Sequence, residues 1–271
     1  MKVDLHVHTT ASDGGVPAAK LVRKARGAGL DVIAVADHDT VAGVDEAIAC
    51  APEGLRVIPA IEISAAHEAG ELHILGYHVD PEGPALRDYV ARAETGRRER
   101  MERMIALLGT HGIAVTLEDV VAEAGPDGST LGRPHLARVL VAHKHVRDFG
   151  DAFVRFIGDG GPAYAPTTLV NVEQAIDVIH AAGGLAVWAH PPSTTFDREI
   201  ERFAAAGMDG VECIRPRHTP AETERLRART RELGMLVSGG SDWHGPWDGP
   251  LGQWWVEAEE VAEILGAGRA A

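Results

Sequence analysis

The sequence predicts an α/β fold of successive strand–helix units approaching a barrel, interrupted by a helical insertion. Three observations carry this expectation. Short apolar runs alternate with helical patterns in the first third and the last third of the chain. Glycines stand where those helices end, as in "GAGL" and "AAAG". About seven such runs are present, near the number that closes a parallel sheet on itself.

Each element follows in order. The first strand is contained in "KVDLHVH". Successive strand side chains point to opposite faces, so Val3, Leu5 and Val7 share one face and Asp4, His6 and His8 the other. A helix holding Leu21, Val22 and Ala25 ends in "GAGL" and leads to the strand "VIAVAD", Val32 to Asp37. A helical stretch from Val44 to Ala51 precedes "RVIPAIEIS", and "ELHILGYHV" comes next. Later, "GGLAVWAHP" follows "VEQAIDVIHAA", "DGVECI" follows "EIERFAAAG", and "GMLVSGGSDWH" follows "AETERLRARTREL". These are β/α units of a parallel sheet.

The middle differs. Residues 80–168 read as helical, and the arginine-rich run "ETGRRERMERM" reads as a solvated helix face laced with i,i+4 pairs. "TLEDVVAEAG" reads as a helix capped at Thr116 with Asp119 in its first turn. The expected organisation is therefore a first barrel part over 1–79, a helical lid or substrate subdomain over 80–168, and a second barrel part over 169–271. The tail "GAGRAA" is expected to fray.

Composition narrows the classes. The 271 residues, 45% hydrophobic, suit a large domain with an insertion rather than a disordered chain. No run of about 18 apolar residues is present, so no transmembrane helix or membrane partner is expected. The chain enters a strand pattern at once, without a charged leader, which reads as cytoplasmic. Cys50 and Cys213 form no C-x-x-C pair and indicate neither a disulfide scaffold nor a thiolate metal site. A net charge of -14 argues against a broad basic surface for nucleic acid, while leaving room for a nucleotide in a local pocket. No obligate protein partner is indicated. The unusual feature is histidine, at 14 residues.

Catalytic groups of β/α barrels gather at the C-terminal ends of the strands. Here those ends read His6 and His8 with Asp13 in the loop beyond, then Asp37, His38 and Asp39, then Glu62, His73, His190, Glu212 with His218 just beyond, and Asp242 with His244. Any one of these has an ordinary explanation as a turn, a cap or a surface residue. Seven coincident strand ends do not. Imidazole and carboxylate without thiolate suit Zn²⁺, Mn²⁺ or Fe²⁺ better than Ca²⁺. Nine groups, His6, His8, Asp13, His38, Glu62, His73, His190, Asp242 and His244, suit two or three divalent ions with a shared carboxylate. Carboxylates packed so closely would repel one another without cations between them.

"DLHVHTTASDG", "ADHDT", "IEIS" with "ELHILGY", "AHP" and "SGGSDWHG" stand in that order along almost the whole chain. Together they resemble the polymerase and histidinol phosphatase (PHP) family of metal-dependent phosphoesterases. The resemblance implies a distorted (β/α)7 TIM-like barrel with a trinuclear centre at its mouth. It implies one metal on His6, His8, Glu62 and Asp242, a second on Glu62, His73 and His190, and a third on Asp13, His38 and His244. "HILGY" and "GRPHLARVLV" resemble the branch that hydrolyses nucleoside 3′,5′-bisphosphates, some members of which trim short oligonucleotides or RNA from the 5′ end.

The expected chemistry is in-line attack on phosphorus by a metal-activated water beside Glu62, with His218 protonating the leaving group or binding phosphate. Arg133 and His135 in "GRPHLARVL" are the candidate phosphate binders, with Arg215 and Arg217 behind them. Asp37 would orient a ligand. Trp243 would either stack on a base or pack the barrel rim. The expected substrate is a small phosphorylated nucleotide, with short RNA or DNA oligonucleotides as an extension. Histidinol phosphate is the alternative, a catalytically silent metal-binding module is the alternative of another class, and a metal-dependent amidohydrolase is a fourth reading.

Overall fold

The computed structural model describes residues 1–126 and 130–267, so the end of the "GAGRAA" tail lies outside the described residues. The strands are β1 (Lys2–Val7), β2 (Val32–Val35), β3 (Arg56–His67), β4 (Gly70–Tyr77), β5 (Leu185–Trp188), β6 (Gly210–Ile214), β7 (Leu236–Gly239) and β8 (Val256–Glu257). They form one sheet in the order β7-β6-β5-β4-β3-β2-β1-β8. The sheet curves until its ends meet. Val7 pairs with Trp243 just beyond β7, His8 N–H donates to the Trp243 carbonyl at 3.0 Å, and Trp243 N–H donates back to His6 at 3.3 Å. Gly240 permits this closure, because a Cβ there would stand 2.3 Å from the His6 Cβ. At the opposite end of β1, the short β8 pairs antiparallel with Lys2 and Val3.

The barrel is α/β, as expected, but not wholly parallel. β4 runs antiparallel to both β3 and β5. The cause is covalent. Only Glu68 and Ala69 separate β3 from β4, and a parallel crossover needs a dozen or more residues. The hairpin leaves Glu62 and His73 in mid-strand rather than at strand ends.

Helices α1 (Ala18–Gly27) and α2 (Val44–Ala49) follow β1 and β2, and α7 (Val172–Ala181), α8 (Ser193–Ala205) and α9 (Pro220–Glu232) alternate with the later strands. Leu21, Val22 and Ala25 of α1 bury against Val7, Ile33 and Val35, and Trp243 sits in the same cluster. Trp243 is buried and its indole N–H donates to the Gly249 carbonyl at 2.9 Å, so it packs the rim and offers no face to a base. The last helix, α10 (Ala262–Ala267), closes the base.

Between β4 and α7 the chain forms α3 (Pro84–Thr110), α4 (Leu117–Ala124), α5 (Arg133–Ala142), α6 (Phe149–Ala152) and a π-helical turn over Phe153–Ile157. Thr116 and Asp119 form the expected capping box of α4. The 27 residues of α3 span about 40 Å and serve two cores. Leu86, Tyr89 and Ala93 join the barrel cluster, whereas Met101, Met104 and Leu108 join a cluster of insertion residues. The arginine run is therefore not one solvated face. Arg98 pairs with Glu102 on the surface, but Arg97 and Arg100 turn inward. They continue the buried stripe 86, 89, 93, 97, 100, 104, 108, whose three- and four-residue steps mark one helix face. Arg97 fastens the insertion to the barrel, donating to Asp39 at 2.6 Å, Ser64 Oγ at 2.8 Å and the Leu131 carbonyl at 3.2 Å. Tyr89 OH donates to the same Asp39 at 2.5 Å.

Candidate metal centre

The alternation of β1 turns Asp4, His6 and His8 to one face, and all three are fully buried. The loop after β1 then folds back over the strand end. Asp37, at the end of β2, holds it by accepting from Thr9 N–H at 2.7 Å, Thr9 Oγ at 2.6 Å and Ser12 Oγ at 2.6 Å. Gly14 allows the fold-back, since a Cβ there would lie 2.7 Å from His8 backbone atoms. Asp13 is thereby brought over His8, His38 and His244, its carboxylate 3.5 to 3.9 Å from their ring nitrogens.

Glu62 is the hub. Its Oε1 lies 2.9 Å from His190 Nε2 and 3.1 Å from His73 Nδ1. Its Oε2 lies 3.0 Å from His38 Nδ1, 3.3 Å from His6 Nε2 and 3.4 Å from His8 Nε2. Asp242 closes the other side, 3.5 Å from His6 Nε2 and 3.4 Å from His8 Nε2. His190 and Asp242 both adopt positive φ, 32° and 57°, which for residues other than glycine costs on the order of 1–3 kcal/mol each. The turns after β5 and β7 hold this strain while aiming both side chains at the hub.

All nine residues named from the sequence thus meet in one cluster. Their ligand atoms fall into four overlapping groups: His8, Asp13, His38 and His244; His6, His8 and Asp242; His6, Glu62 and His190; His38, Glu62 and His73. His6, His8 and His38 each enter two groups, so the separate ligand sets drawn from the resemblance overlap in space.

The charges are unusual. Burial alone would push Glu62, Asp242, Asp13 and Glu212 up, but the surrounding imidazoles outweigh it and hold all four below the ordinary carboxylate range. Burial likewise would lower His73, yet Glu62 and Glu71 raise it to about 10. His38 moves the other way, lowered by burial and by the neighbouring His8 and His73 rings. Five buried atoms here have no hydrogen-bond partner: His6 Nε2, both His8 ring nitrogens, His38 Nδ1 and Glu62 Oε2. Leaving such groups unsatisfied costs roughly 1–3 kcal/mol each. Converging lone pairs of imidazole and carboxylate are what divalent ions of the Zn, Mn or Fe type require, so the residues present fit a metal cluster.

Two residues outside the predicted ligand set complete the floor. Glu212 accepts from His6 Nδ1 at 3.0 Å and from His190 N–H at 2.8 Å, fixing the tautomer and orientation of His6. Arg215 donates to Asp242 Oδ2 at 3.0 Å and lies 3.6 Å from Glu212. Glu212 was visible as a strand-end carboxylate. Its place beneath His6 required the neighbouring strand.

Above the cluster lies a cavity of about 220 Å³ walled by Asp13, His38, His73, His190, Asp242 and His244 below, and by Glu71, Arg97, Arg100, Arg133 and Phe153 above. Arg133 stands in this wall, bonded to Asp159 at 2.6 Å and 3.4 Å from Glu71. His135 does not reach the wall. It is buried, accepts from Gly132 N–H at 3.0 Å to cap α5, and is lowered to about 4 by burial and by Arg138 and Arg97. A neutral, internally bonded imidazole is a poor phosphate ligand. His218 Nδ1 donates to the Cys213 carbonyl at 3.0 Å, and His218 is not among the residues that line the cavity.

The family profile of the PHP domain matches residues 4–123. The chain is 36% identical over 251 residues to a 5′-3′ exoribonuclease of Haemophilus influenzae, covering 90% of each protein. It is 31% identical over 253 residues to a 3′,5′-nucleoside bisphosphate phosphatase of Chromobacterium violaceum, covering 91% of this chain and 88% of the other. A solved structure described as a metal-dependent phosphoesterase from Bifidobacterium adolescentis superposes with a TM-score of 0.87 at 34% identity, covering 98% of this chain and 96% of that one.

Proposed function

The chain belongs to the PHP family of metal-dependent phosphoesterases, and from that premise we propose that it hydrolyses the phosphate ester of a nucleotide, foremost the 3′-phosphate of a nucleoside 3′,5′-bisphosphate. The single observation behind the metal dependence of this reading is the set of five buried, unpartnered atoms around Glu62.

We assign two places for ions about Glu62: one would be held by His6, His8, Glu62 and Asp242, and a second by Glu62, His73 and His190. Asp13, His38 and His244 take a third. Ions held there would neutralise phosphate oxygens and acidify a water ligand. The chain's own contribution is positional. Glu212 and Arg215 fix His6 and Asp242 from below, while Arg133 on the opposite wall offers a planar guanidinium suited to phosphate. We take residues 80–168 as the substrate-side lid, because Arg97, Arg100 and Arg133 reach the cavity from it.

A second reading, 5′-3′ trimming of short oligonucleotides, is favoured by the name of the Haemophilus relative. A substrate panel on Mn²⁺-loaded protein tests the proposal. Phosphate release from a nucleoside 3′,5′-bisphosphate but not from histidinol phosphate supports it. The reverse pattern replaces it with histidinol-phosphate phosphatase, and no turnover with Mn²⁺, Zn²⁺ or Fe²⁺ replaces it with a silent metal-binding module.

A further inference from the structure

Glu71 stands in the cavity wall but, among the described residues, in none of the ligand groups around Glu62. Alternation along β4 turns it to the same face as His73, two residues on. Its side chain is 6% exposed, and an imidazole and two guanidiniums meet it. Arg100 Nη1 donates to Oε2 at 2.6 Å. The other oxygen, Oε1, faces His73 Nε2 and Arg133 Nη2, each at 3.4 Å. Glu71 therefore ties two arginines of the insertion to one candidate metal ligand of the barrel.

The two nitrogens of His73 have different surroundings. Nδ1 lies 3.1 Å from Glu62 Oε1 and 3.3 Å from His190 Nε2, both lone-pair donors of the kind a divalent ion takes. Nε2 faces Glu71, whose carboxylate already carries the Arg100 and Arg133 guanidiniums. Those two positive charges repel a cation, so Nδ1 is the nitrogen open to an ion. A neutral imidazole carries one proton. With Nδ1 given to a metal, that proton sits on Nε2, and Glu71 Oε1 is its acceptor. Glu212 stands in the same relation to His6: it meets Nδ1 at 3.0 Å, while Nε2 points to Glu62 and Asp242.

We propose that Glu71 is a positioning residue, which holds His73 in the Nε2–H tautomer and so directs Nδ1 at the ion shared with Glu62 and His190. Its other oxygen keeps Arg100 in the cavity wall. The inference rests on the metal-centre part of the reading above and is independent of which phosphate ester is hydrolysed. A carboxylate behind a ligating histidine fixes the ring and raises its basicity, and losing one typically costs about 10–100-fold in metal affinity.

Glu71→Gln separates this role from a simple ion pair, because an amide cannot serve both sides. Arg100, at the shorter distance, takes the amide oxygen. The NH2 group then faces His73 Nε2, and a donor there demands the opposite tautomer, with the proton on Nδ1 where the ion belongs.

The test uses the full-length, Zn²⁺-loaded protein without substrate. Ring-nitrogen NMR spectra of wild type report which nitrogen of His73 carries the proton, its signals being identified by their loss in His73→Gln. Competition with a chelator reports the affinity for each bound ion, and thermal melts report stability. The expected result is a protonated Nε2 in wild type. In Glu71→Gln the affinity for one ion should fall about 10–100-fold while the others stay near wild type. A wild-type His73 protonated at Nδ1 overturns the proposal whether or not the variant folds. So does a Glu71→Gln protein that melts lower yet binds every ion as tightly as wild type, the pattern of a purely structural tie between hairpin and insertion. Failure of the parent reading looks different: wild type then retains no Zn²⁺ by elemental count, which removes the centre and the role of Glu71 with it.

Discussion

Replacing Glu62 by Gln tests the metal centre most directly, because the change is isosteric and removes one charge. Glu62 lies within 3.4 Å of five imidazoles and belongs to two of the four ligand groups. An ion present at a hundredfold over its dissociation constant stabilises the native state by about 2.7 kcal/mol. With about 2.1 cal/mol/K per residue over 271 residues, the unfolding entropy at the midpoint is about 0.57 kcal/mol/K. Each occupied site therefore raises Tm by about 5 °C, and losing the two groups that share Glu62 removes about 10 °C of the metal-induced rise. Calorimetry with and without Mn²⁺, alongside elemental counting of bound metal, reads both quantities. If Glu62→Gln binds as many ions as wild type and shows the same metal-induced rise in Tm, the hub assignment is wrong.

Three further outcomes follow from other parts of the molecule. Arg133→Ala should raise KM or slow turnover on the nucleotide substrate about tenfold or more while bound metal stays near wild type, read by steady-state kinetics and elemental analysis; wild-type kinetics on every substrate would remove it from phosphate binding. Asp39→Asn leaves Arg97 buried without its charge partner, a loss of about 3–5 kcal/mol, or roughly 5–9 °C in Tm by the same entropy, whereas Arg98→Ala on the same helix should change little. Burial pushes the Cys213 thiol up to about 12, against a lowering hydrogen bond with Thr230, so near pH 8 only about one in ten thousand is thiolate. A thiol reagent at pH 8 should count one fast cysteine, the half-buried Cys50, and reach two only on unfolding; two fast thiols in the native protein would contradict the packing around β6.

The cluster of candidate metal ligands was legible because its signal is local. Period-two alternation in β1 separates His6 and His8 from Val3, Leu5 and Val7 without reference to any other part of the chain. Strand-end placement then groups Asp13, His38, His190, Asp242 and His244, since a barrel sends the ends of its strands to one mouth. The β3–β4 hairpin had a signal too, in the six residues between "RVIPAIEIS" and "ELHILGYHV", too few for a parallel crossover, but the expectation of parallel units overrode it. The inward turn of Arg97 and Arg100 was written in the stripe from Leu86 to Leu108, hidden under a run of charge.

Other assignments were decided only by the tertiary structure. Whether His135 faces a phosphate or caps α5, whether Trp243 stacks or packs, and whether His218 meets the cluster all depend on neighbours distant in sequence. The same holds for Glu212 beneath His6, 206 residues apart, and for the arginines that the insertion lowers over the cavity. The sequence alone determined the α/β class and the chemical type of the centre, because strand periodicity and ligand identity are properties of neighbouring residues. Which cation, imidazole or carboxylate stands against which was decided by barrel closure and by the docking of α3, because burial and distance set the charge state and partner of each group.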